Sequence, residues 1–276
     1  MLAIQTNVSS LEAQKNLSKN QTALMSSFNK LSSGYRINNA SDDAAGLAIS
    51  ESMKSQIRSY TVDERNASDG ISMSQTAEGA LGDIHDVLGR MRELAVQSSN
   101  GSVTSTDRGY MQTEFGLLQS EVTRIQGSAK FNDKDLITAS AQTVNFQVGL
   151  NSTASDQIGV TFGGVALTTL LASTTKIGGT TASSALASLS TIDTAIGSVS
   201  TARSKFGAAM NRLQVATSNI QTMRLNLSAA NSRIRDVDVA SETSAMTRNQ
   251  VLTQAGISVL SQANQLPQQA FNLIGR

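Results

Sequence analysis

Cysteine and tryptophan are absent from this 276-residue chain, which also has a single proline and only 4% aromatic residues. The lack of cysteine excludes disulfides, thiolate zinc sites and thiol catalysis, and it is compatible with a life outside the cell that does not depend on oxidation. Aromatic side chains are too few to fill the core of a compact α/β enzyme. The composition therefore favours packing of helices on helices.

An excess of charge of one sign is lacking as well. Lys and Arg number 22 and Asp and Glu number 21, so the net charge is +1, which gives no field that attracts nucleic acid or anionic lipid. No stretch approaches the ~18 apolar residues of a membrane span, and residues 1–7 lack the basic and apolar regions of a signal peptide. The sequence predicts no nucleic-acid binding, no membrane insertion and no cleaved signal peptide.

A heptad pattern occupies the chain from residue 192 to residue 237. Large apolar residues recur at every seventh position, and each is followed three residues later by Ala, Met or Val. The large residues are Ile192, Val199, Phe206, Leu213, Ile220, Leu227 and Ile234. A 3-4 apolar spacing keeps one stripe of a helix facing a partner helix. The pattern predicts a coiled-coil helix, roughly 70 Å long at a rise of about 1.5 Å per residue.

Both ends of the chain carry shorter versions of this pattern. Leu17, Leu24 and Leu31 fall seven apart near the N-terminus, and four apolar residues do the same near the C-terminus. These four are Leu252, Val259, Leu266 and Leu273. Two thin amphipathic helices bury only part of such stripes against each other. The seven residues are therefore candidate self-assembly residues, which neighbouring copies of the chain would cover.

The remaining segments predict further helices and one β-hairpin. A helix is expected after Ser41 and Asp42, both good N-cap candidates, to a break before Asp69, and a separate helix from Ile71. Apolar residues alternate with polar or small ones in two runs within residues 144–162, as in the two strands of a hairpin. Residues 163–190 are rich in Gly, Ser, Thr and Ala and have no sustained period, so a loop or a small, poorly packed cap is expected there.

Together the patterns predict a mainly α fold. We expect a long antiparallel coiled-coil helical rod with a small β-hairpin region and with the N- and C-termini adjacent. Residues 1–40 and 236–276 would form a terminal coiled-coil domain. Residues 41–162 and 191–235 would form a rod domain that carries the hairpin. Residues 163–190 would be a short variable tip, with no separate outer domain.

Six strings of residues resemble bacterial flagellins. They stand in the family's order at both chain ends, and the combination is far more specific than any one string. The strings are LSSGYRINNASDDAAGLAIS from Leu31, RNASDGISMSQTAEGAL from Arg65, MRELAVQSSN from Met91, FNDKDL from Phe131, SRIRDVDVASETS from Ser232 and QANQLPQ from Gln262. The resemblance implies a structural subunit that self-assembles into the extracellular flagellar filament for motility, and export through the flagellar type III apparatus.

The resemblance also implies partners. These are copies of the chain and other flagellins, an export chaperone, the filament cap and the hook-filament junction proteins. Flagellins that an animal innate immune receptor recognises share an Arg, a Leu and a Glu, which Arg90, Leu94 and Glu114 match here. Arg90 and Leu94 lie four apart on one helix face, and Glu114 would come from the next, antiparallel helix.

Two alternatives stay open at this stage. A hook-filament junction protein shares the terminal architecture of flagellins, and homopolymer formation by the isolated protein would distinguish the two. A secreted coiled-coil adhesin or enzyme belongs to a different class. His85 is the only histidine, and a zinc site needs three or four ligands. We therefore predict no catalytic residue, no metal and no cofactor.

Overall fold

The computed structural model describes residues 6–165, 167–172 and 174–274, with side chains through residue 265. The described chain is mainly helical, as the heptad patterns predict. Its α-helices are α1 (Val8–Ser33), α2 (Ala44–Ser98), α3 (Ser105–Ser128), α4 (Ser183–Arg235) and α5 (Val239–Ile274). Its strands are β1 (Lys130–Phe131), β2 (Lys134–Asp135), β3 (Gln142–Gln147) and β4 (Gln157–Phe162).

The chain forms two compact units. The terminal unit combines the N-terminal residues through Ile57 with the C-terminal residues from Leu225, and the central unit runs from Arg58 to Arg224. Helices α2 and α4 each contribute residues to both units. The predicted division into a terminal domain, a rod domain and a tip stays a prediction.

In the terminal unit, α1 and α5 pair in antiparallel fashion. Asn7 Nδ2 donates a hydrogen bond to the carbonyl of Ala263 at 2.8 Å. At the other end of the pair, Tyr35 and Asp236 form an antiparallel bridge. Helix α1 ends at Gly34, whose φ of 74° is the left-handed conformation that glycine adopts at little cost. The N- and C-terminal arms therefore lie side by side, as predicted.

In the central unit, α2 and α4 are antiparallel and three ion pairs cross between them. The pairs are Glu64 with Arg224, Glu78 with Arg203, and Arg92 with Asp193. The predicted seam of α4 is confirmed where it lies in this unit. Its buried large residues are Ile192, Val199, Phe206, Leu213 and Ile220. The seam residues that fall in the terminal unit, Leu227 and Ile234, are only half-buried.

The predicted helix break near Asp69 and Gly70 is wrong, because α2 runs through both residues without interruption. Gly70 is buried there, and a Cβ at this position would lie 3.0 Å from Leu213 Cδ1 and 3.1 Å from Phe146 Cδ1. The glycine therefore lets α4 and the β-hairpin approach the helix closely. A glycine with this role cannot be told from a helix terminator by its neighbours in the sequence.

The predicted β-hairpin is confirmed. Strands β3 and β4 pair in antiparallel register, with Val144 opposite Val160 and Phe146 opposite Ile158. Alternate residues of β4 are buried against the core, as the period of two requires. The pattern did not predict the smaller hairpin of β1 and β2, which turns through Asn132 and Asp133 with φ of 47° and 60°. Asn and Asp tolerate such values, so Asn-Asp was an available signal.

The expectation of a poorly packed cap at residues 163–190 is wrong. Val165, Leu167, Leu170 and Ile177 are all buried in the core of the central unit. Helix α4 also begins earlier than the heptad pattern indicates, at Ser183. Isolated apolar residues among Gly, Ser and Thr show no period. Only the tertiary structure reveals that they fill one core.

Candidate functional site

The predicted N-terminal residues lie on α1, and one of them contacts α5. Leu17, Leu24 and Leu31 are half-buried on α1. Leu17 lies against Gly256 of α5, where a Cβ would be 3.4 Å from Leu17 Cδ1. Near the N-terminal end of α1, Ser10 Oγ donates a hydrogen bond to Asn264 Oδ1 at 2.7 Å. Small and polar residues on this face allow the two helices to lie close together.

The predicted residues of α5 are placed differently. Leu252 is 44% exposed and Val259 is 55% exposed, while Gly256 and Ala263 take the positions against α1. The side chains of Leu266 and Leu273 lie outside the described residues. The candidate residues with described side chains therefore do not form one shared seam within the chain, because Leu17 packs against Gly256 while Leu252 and Val259 remain accessible.

Many large apolar side chains of the terminal unit are exposed, and we call them the outer stripe. They are Val8, Leu11, Met25 and Phe28 on α1 and Val239, Val251, Leu252, Ile257 and Val259 on α5. One face of α5 from Val239 to Leu252 forms a shallow, largely apolar surface. Large apolar side chains that stay exposed in a folded unit mark candidate interaction sites in soluble proteins.

Arg235, the last residue of α4, contacts both α2 and the segment that follows α1. Its guanidinium is paired with Glu51 and lies 4.6 Å from the ring centre of Tyr35. Asp43 caps α2 instead of the predicted Ser41 or Asp42, since its Oδ1 accepts from the backbone N–H of Gly46 at 2.9 Å. Asp42 accepts instead from the backbone N–H groups of Asn39 and Asn38, which lower the pKa of its carboxyl.

The structure brings Arg90 and Glu114 together. Arg90 Nε donates to Glu114 Oε1 at 2.8 Å, and its Nη1 donates to Glu93 at 2.9 Å. These bonds raise the pKa of Arg90, that to Glu114 most strongly. Leu94 is only 2% exposed and belongs to the core of the central unit. Arg90 and Glu114 thus form an exposed charged pair above a buried Leu94, and Glu93 joins them without having been predicted.

Metal-binding clusters and membrane-spanning helices do not occur in the described part of the chain. Among the described residues, no group of three or more His, Asp and Glu side chains is placed to hold a metal ion. In the same part of the chain, none of the helices combines the length and the apolar character that a membrane crossing requires. His85 is partly buried, and its Nδ1 has no hydrogen-bond partner.

Comparison with protein families decides the relationship. The model of the bacterial flagellin N-terminal helical region matches residues 4–142, and that of the bacterial flagellin C-terminal helical region matches residues 189–274. The chain belongs to the bacterial flagellin family. The matched regions include the described parts of α1 and α5 and therefore the whole outer stripe.

Individual flagellins agree with this assignment along their full length. The flagellin of Halalkalibacterium halodurans is 43% identical, over 99% of this chain and 100% of that protein. The flagellin of Bacillus subtilis is 39% identical over the same shares. Among solved structures, a putative flagellar hook-associated protein from Vibrio parahaemolyticus is 14% identical with a TM-score of 0.60, over 71% of this chain and 100% of that chain. That likeness concerns the fold alone.

Proposed function

We propose that this member of the flagellin family is the structural subunit of an extracellular bacterial flagellar filament and assembles by burying its outer stripe against neighbouring copies. The observation that carries the proposal is the exposure of large apolar residues along both terminal helices. Full burial of one such side chain contributes about 1.5–3 kcal/mol. Nine of them offer enough stabilisation for a polymer without covalent links.

The geometry of assembly follows from the kind of contact. In the proposed assembly, one face of a subunit binds a different face of the next. Such heterologous contacts produce an open helical polymer when the rotation between neighbours does not close. The predicted residues Leu252 and Val259, with Leu266 and Leu273 further along α5, would lie in these contacts. Leu17, Leu24 and Leu31 would support them from α1.

The two alternatives fit less well. A hook-filament junction protein would share the fold, but relatives named flagellin match the chain over 99% of its length at 39% identity or more. An adhesin or enzyme would need a binding or catalytic constellation, whereas the exposed side chains along both terminal helices include many large apolar ones. A structural role in motility therefore fits best.

The exposed stripe also explains why further partners are expected. Before assembly, an export chaperone would bind the outer stripe and shield its apolar side chains from water. At the growing end, the filament cap and the junction proteins would contact the same surface, and other flagellins with a matching stripe would copolymerise. Export without a cleaved signal peptide stays a prediction.

Recognition by an animal innate immune receptor is a second proposal, favoured by one observation. Arg90 and Glu114 form a paired, exposed charged surface in the central unit. A receptor would engage this pair in the monomer. Leu94 would act from beneath by packing the helix that carries Arg90, since it is buried.

The proposed assembly is tested by placing the same charge at an exposed and at a buried position. Val259→Asp should leave monomer melting unchanged and abolish filaments, because an unpaired carboxylate cannot be buried at a subunit contact. Ile220, which is 3% exposed, lies in the core. Ile220→Asp should therefore unfold the monomer itself. Melting is followed by circular dichroism, and polymer by sedimentation and electron microscopy.

The matched control is Val259→Ile, which keeps the position apolar and should still polymerise. Leu266→Asp tests the same stripe nearer the C-terminus and should behave like Val259→Asp. If both aspartate variants of α5 polymerise normally, or melt the monomer as severely as Ile220→Asp does, the terminal helices are not the assembly element.

A further inference from the structure

The loop that joins α2 to α3 contains Asn100, the one asparagine of the sequence that a glycine follows. Both Asn100 and Gly101 are exposed. The side-chain amide of an asparagine has an electrophilic carbon, and the backbone nitrogen of the next residue is near enough to attack it within the same chain. Glycine has no Cβ that would block this approach. The pair therefore has the groups that an intramolecular reaction requires.

The nucleophile in this reaction is the backbone nitrogen of Gly101. Among the described residues, none accepts a hydrogen bond from its N–H. A Cβ built at residue 101 would meet no atom within 4 Å, so the space around this part of the loop is open. The nitrogen can therefore lose its proton to solvent and attack without breaking a bond to the rest of the protein.

Arg108 lies beside this peptide bond and polarises it. The side chain is only 4% exposed, and its Nη2 donates to the carbonyl oxygen of Asn100 at 3.0 Å. The backbone N–H of Val103 donates to the same oxygen at 3.3 Å. This oxygen and the nitrogen of Gly101 belong to one peptide group, so a cation bonded to the oxygen stabilises the negative charge that forms when the nitrogen loses its proton. The guanidinium thereby activates the nucleophile.

A second donor acts on the side-chain amide that is attacked. The backbone N–H of Ser102 donates to Asn100 Oδ1 at 3.2 Å. Attack on the side-chain carbon moves negative charge onto this oxygen, and a donor that is already in place stabilises that charge. The folded loop therefore holds one group that activates the nucleophile and another that stabilises the oxyanion.

We propose that Asn100 is a site of self-modification, at which the folded chain converts this asparagine first to a succinimide and then to a β-linked aspartate. In the first step the Gly101 nitrogen bonds to the side-chain carbon of Asn100, and the proton of that nitrogen leaves with the side-chain amide as ammonia. In the second step water adds to the α-carbonyl carbon of residue 100 and breaks its bond to the Gly101 nitrogen. Water is the co-reactant, and no electrons are transferred.

Arg108 also favours the β-linked product. Its guanidinium is bonded to the α-carbonyl oxygen of residue 100, which makes the attached carbon the more electrophilic one for water. Once water has opened the ring at this carbon, the oxygen belongs to a free carboxylate. The bond to Arg108 then becomes an ion pair, which is stronger than a bond to a neutral carbonyl. All of these groups lie in the central unit of one chain, so the proposal does not depend on filament assembly.

The first experiment follows the full-length monomer by peptide mass spectrometry during incubation in slightly alkaline buffer made with heavy-oxygen water. Residue 100 should exchange –NH2 for –OH, with the new oxygen taken from the water, and electron-transfer fragmentation should show mainly the β-linked product. Asn151, an exposed asparagine that a serine follows, is the internal control and should react at least about tenfold more slowly. Equal rates at the two positions, or mainly ordinary aspartate at residue 100, would overturn the proposal.

The second experiment tests whether the folded loop drives the reaction. Asn100 should react about tenfold more slowly in urea, which unfolds the chain, and in the folded variant Arg108→Met, because the activating donor is lost in both. A more mobile loop would by itself raise the rate, so a slower reaction in Arg108→Met separates activation by the guanidinium from its structural role. Arg212→Met, which changes an exposed arginine of α4, should react like the wild type.

A reaction as fast in urea as in the folded wild type would refute the proposal, and so would an undiminished rate in Arg108→Met. If Arg108→Met does not fold, the comparison in urea decides the question. Gly101→Ala tests the nucleophile separately. It adds a Cβ in open space, so it should melt like the wild type and yet react more slowly, and an unchanged rate in this variant would exclude the Gly101 nitrogen as the attacking group.

Discussion

Leu17 of α1 lies against Gly256 of α5, and a Cβ at residue 256 would be 3.4 Å from Leu17 Cδ1. This distance is an ordinary van der Waals contact, so the helices leave room for a methyl group and for little more. The spacing of α1 and α5 at this point therefore admits glycine or alanine but no larger side chain. Because these helices carry the outer stripe, their spacing also determines how the stripe is presented to neighbouring subunits.

Substitutions at Gly256 should show whether the close approach of α1 and α5 is required for filament assembly. Gly256→Ala fits beside Leu17 and adds about 1 kcal/mol of helix propensity, so filaments should form normally and dissociate at a higher temperature. Gly256→Leu should push α5 away from α1 and abolish assembly, while melting of the central unit stays unchanged. Sedimentation measures filament formation, and circular dichroism measures melting. Normal filaments from Gly256→Leu would show that the close approach is not required.

Two glycines of α2 should respond in opposite directions. Gly79 has open space around its Cα, whereas Gly70 faces Leu213 and Phe146. Gly79→Ala should raise the free energy of unfolding by about 1 kcal/mol, since alanine favours the helix. Gly70→Val should lower it by about 2 kcal/mol through overpacking. Urea unfolding of the monomer measures both values. A stabilising Gly70→Val would contradict the packing described for the hairpin.

Arg108 is a buried cation that holds one end of the central unit together. Its Nε donates to the carbonyl of Ser98 at 2.9 Å and its Nη2 to that of Asn100 at 3.0 Å, while Nη1 reaches the carbonyl of Thr180 at 3.4 Å. Arg108→Met should lower the free energy of unfolding by about 3 kcal/mol, because buried carbonyls lose their donors. Urea unfolding measures this loss.

The control for that experiment is Arg212→Met, which changes an exposed arginine of α4 and should alter stability by less than about 0.5 kcal/mol. Hydrogen exchange adds a local readout. Amides of residues 99–104 should exchange faster in Arg108→Met than in the wild type. Unchanged exchange there would mean that the guanidinium does not organise this loop.

The receptor proposal predicts different effects for Arg90 and Leu94. Arg90→Ala should weaken monomer binding to the animal innate receptor roughly tenfold, with little change in melting because exposed ion pairs contribute about 0–1 kcal/mol. Leu94→Ala should instead lower the free energy of unfolding by about 3 kcal/mol. Surface plasmon resonance measures the binding, with Arg212→Ala as control. Unchanged affinity in Arg90→Ala would remove Arg90 from the contact.

Local periodicity by itself determined most of the helices and the larger hairpin, and the order of residues in six short strings determined the family. A spacing of seven indicates a helix with one buried stripe, and alternation at 144–162 indicates paired strands. Both are properties of neighbouring residues along the chain, which is why the sequence predicts the seam from Ile192 to Ile220 and the hairpin correctly. The six strings from Leu31 to Gln262 likewise identify the flagellin family, because they depend on residue order and not on packing.

Tertiary structure alone decided which apolar residues are covered and by what. Leu252 and Leu17 follow the same heptad rule, yet only Leu17 faces the partner helix, because Gly256 and Ala263 occupy that side of α5. The glycine at 70 continues a helix since distant side chains need its space. The scattered apolar residues from Val165 to Ile177 fill a core that no local sequence pattern predicts. Burial depends on contacts between residues far apart in sequence, so the folded chain was needed to separate its core from its assembly surface.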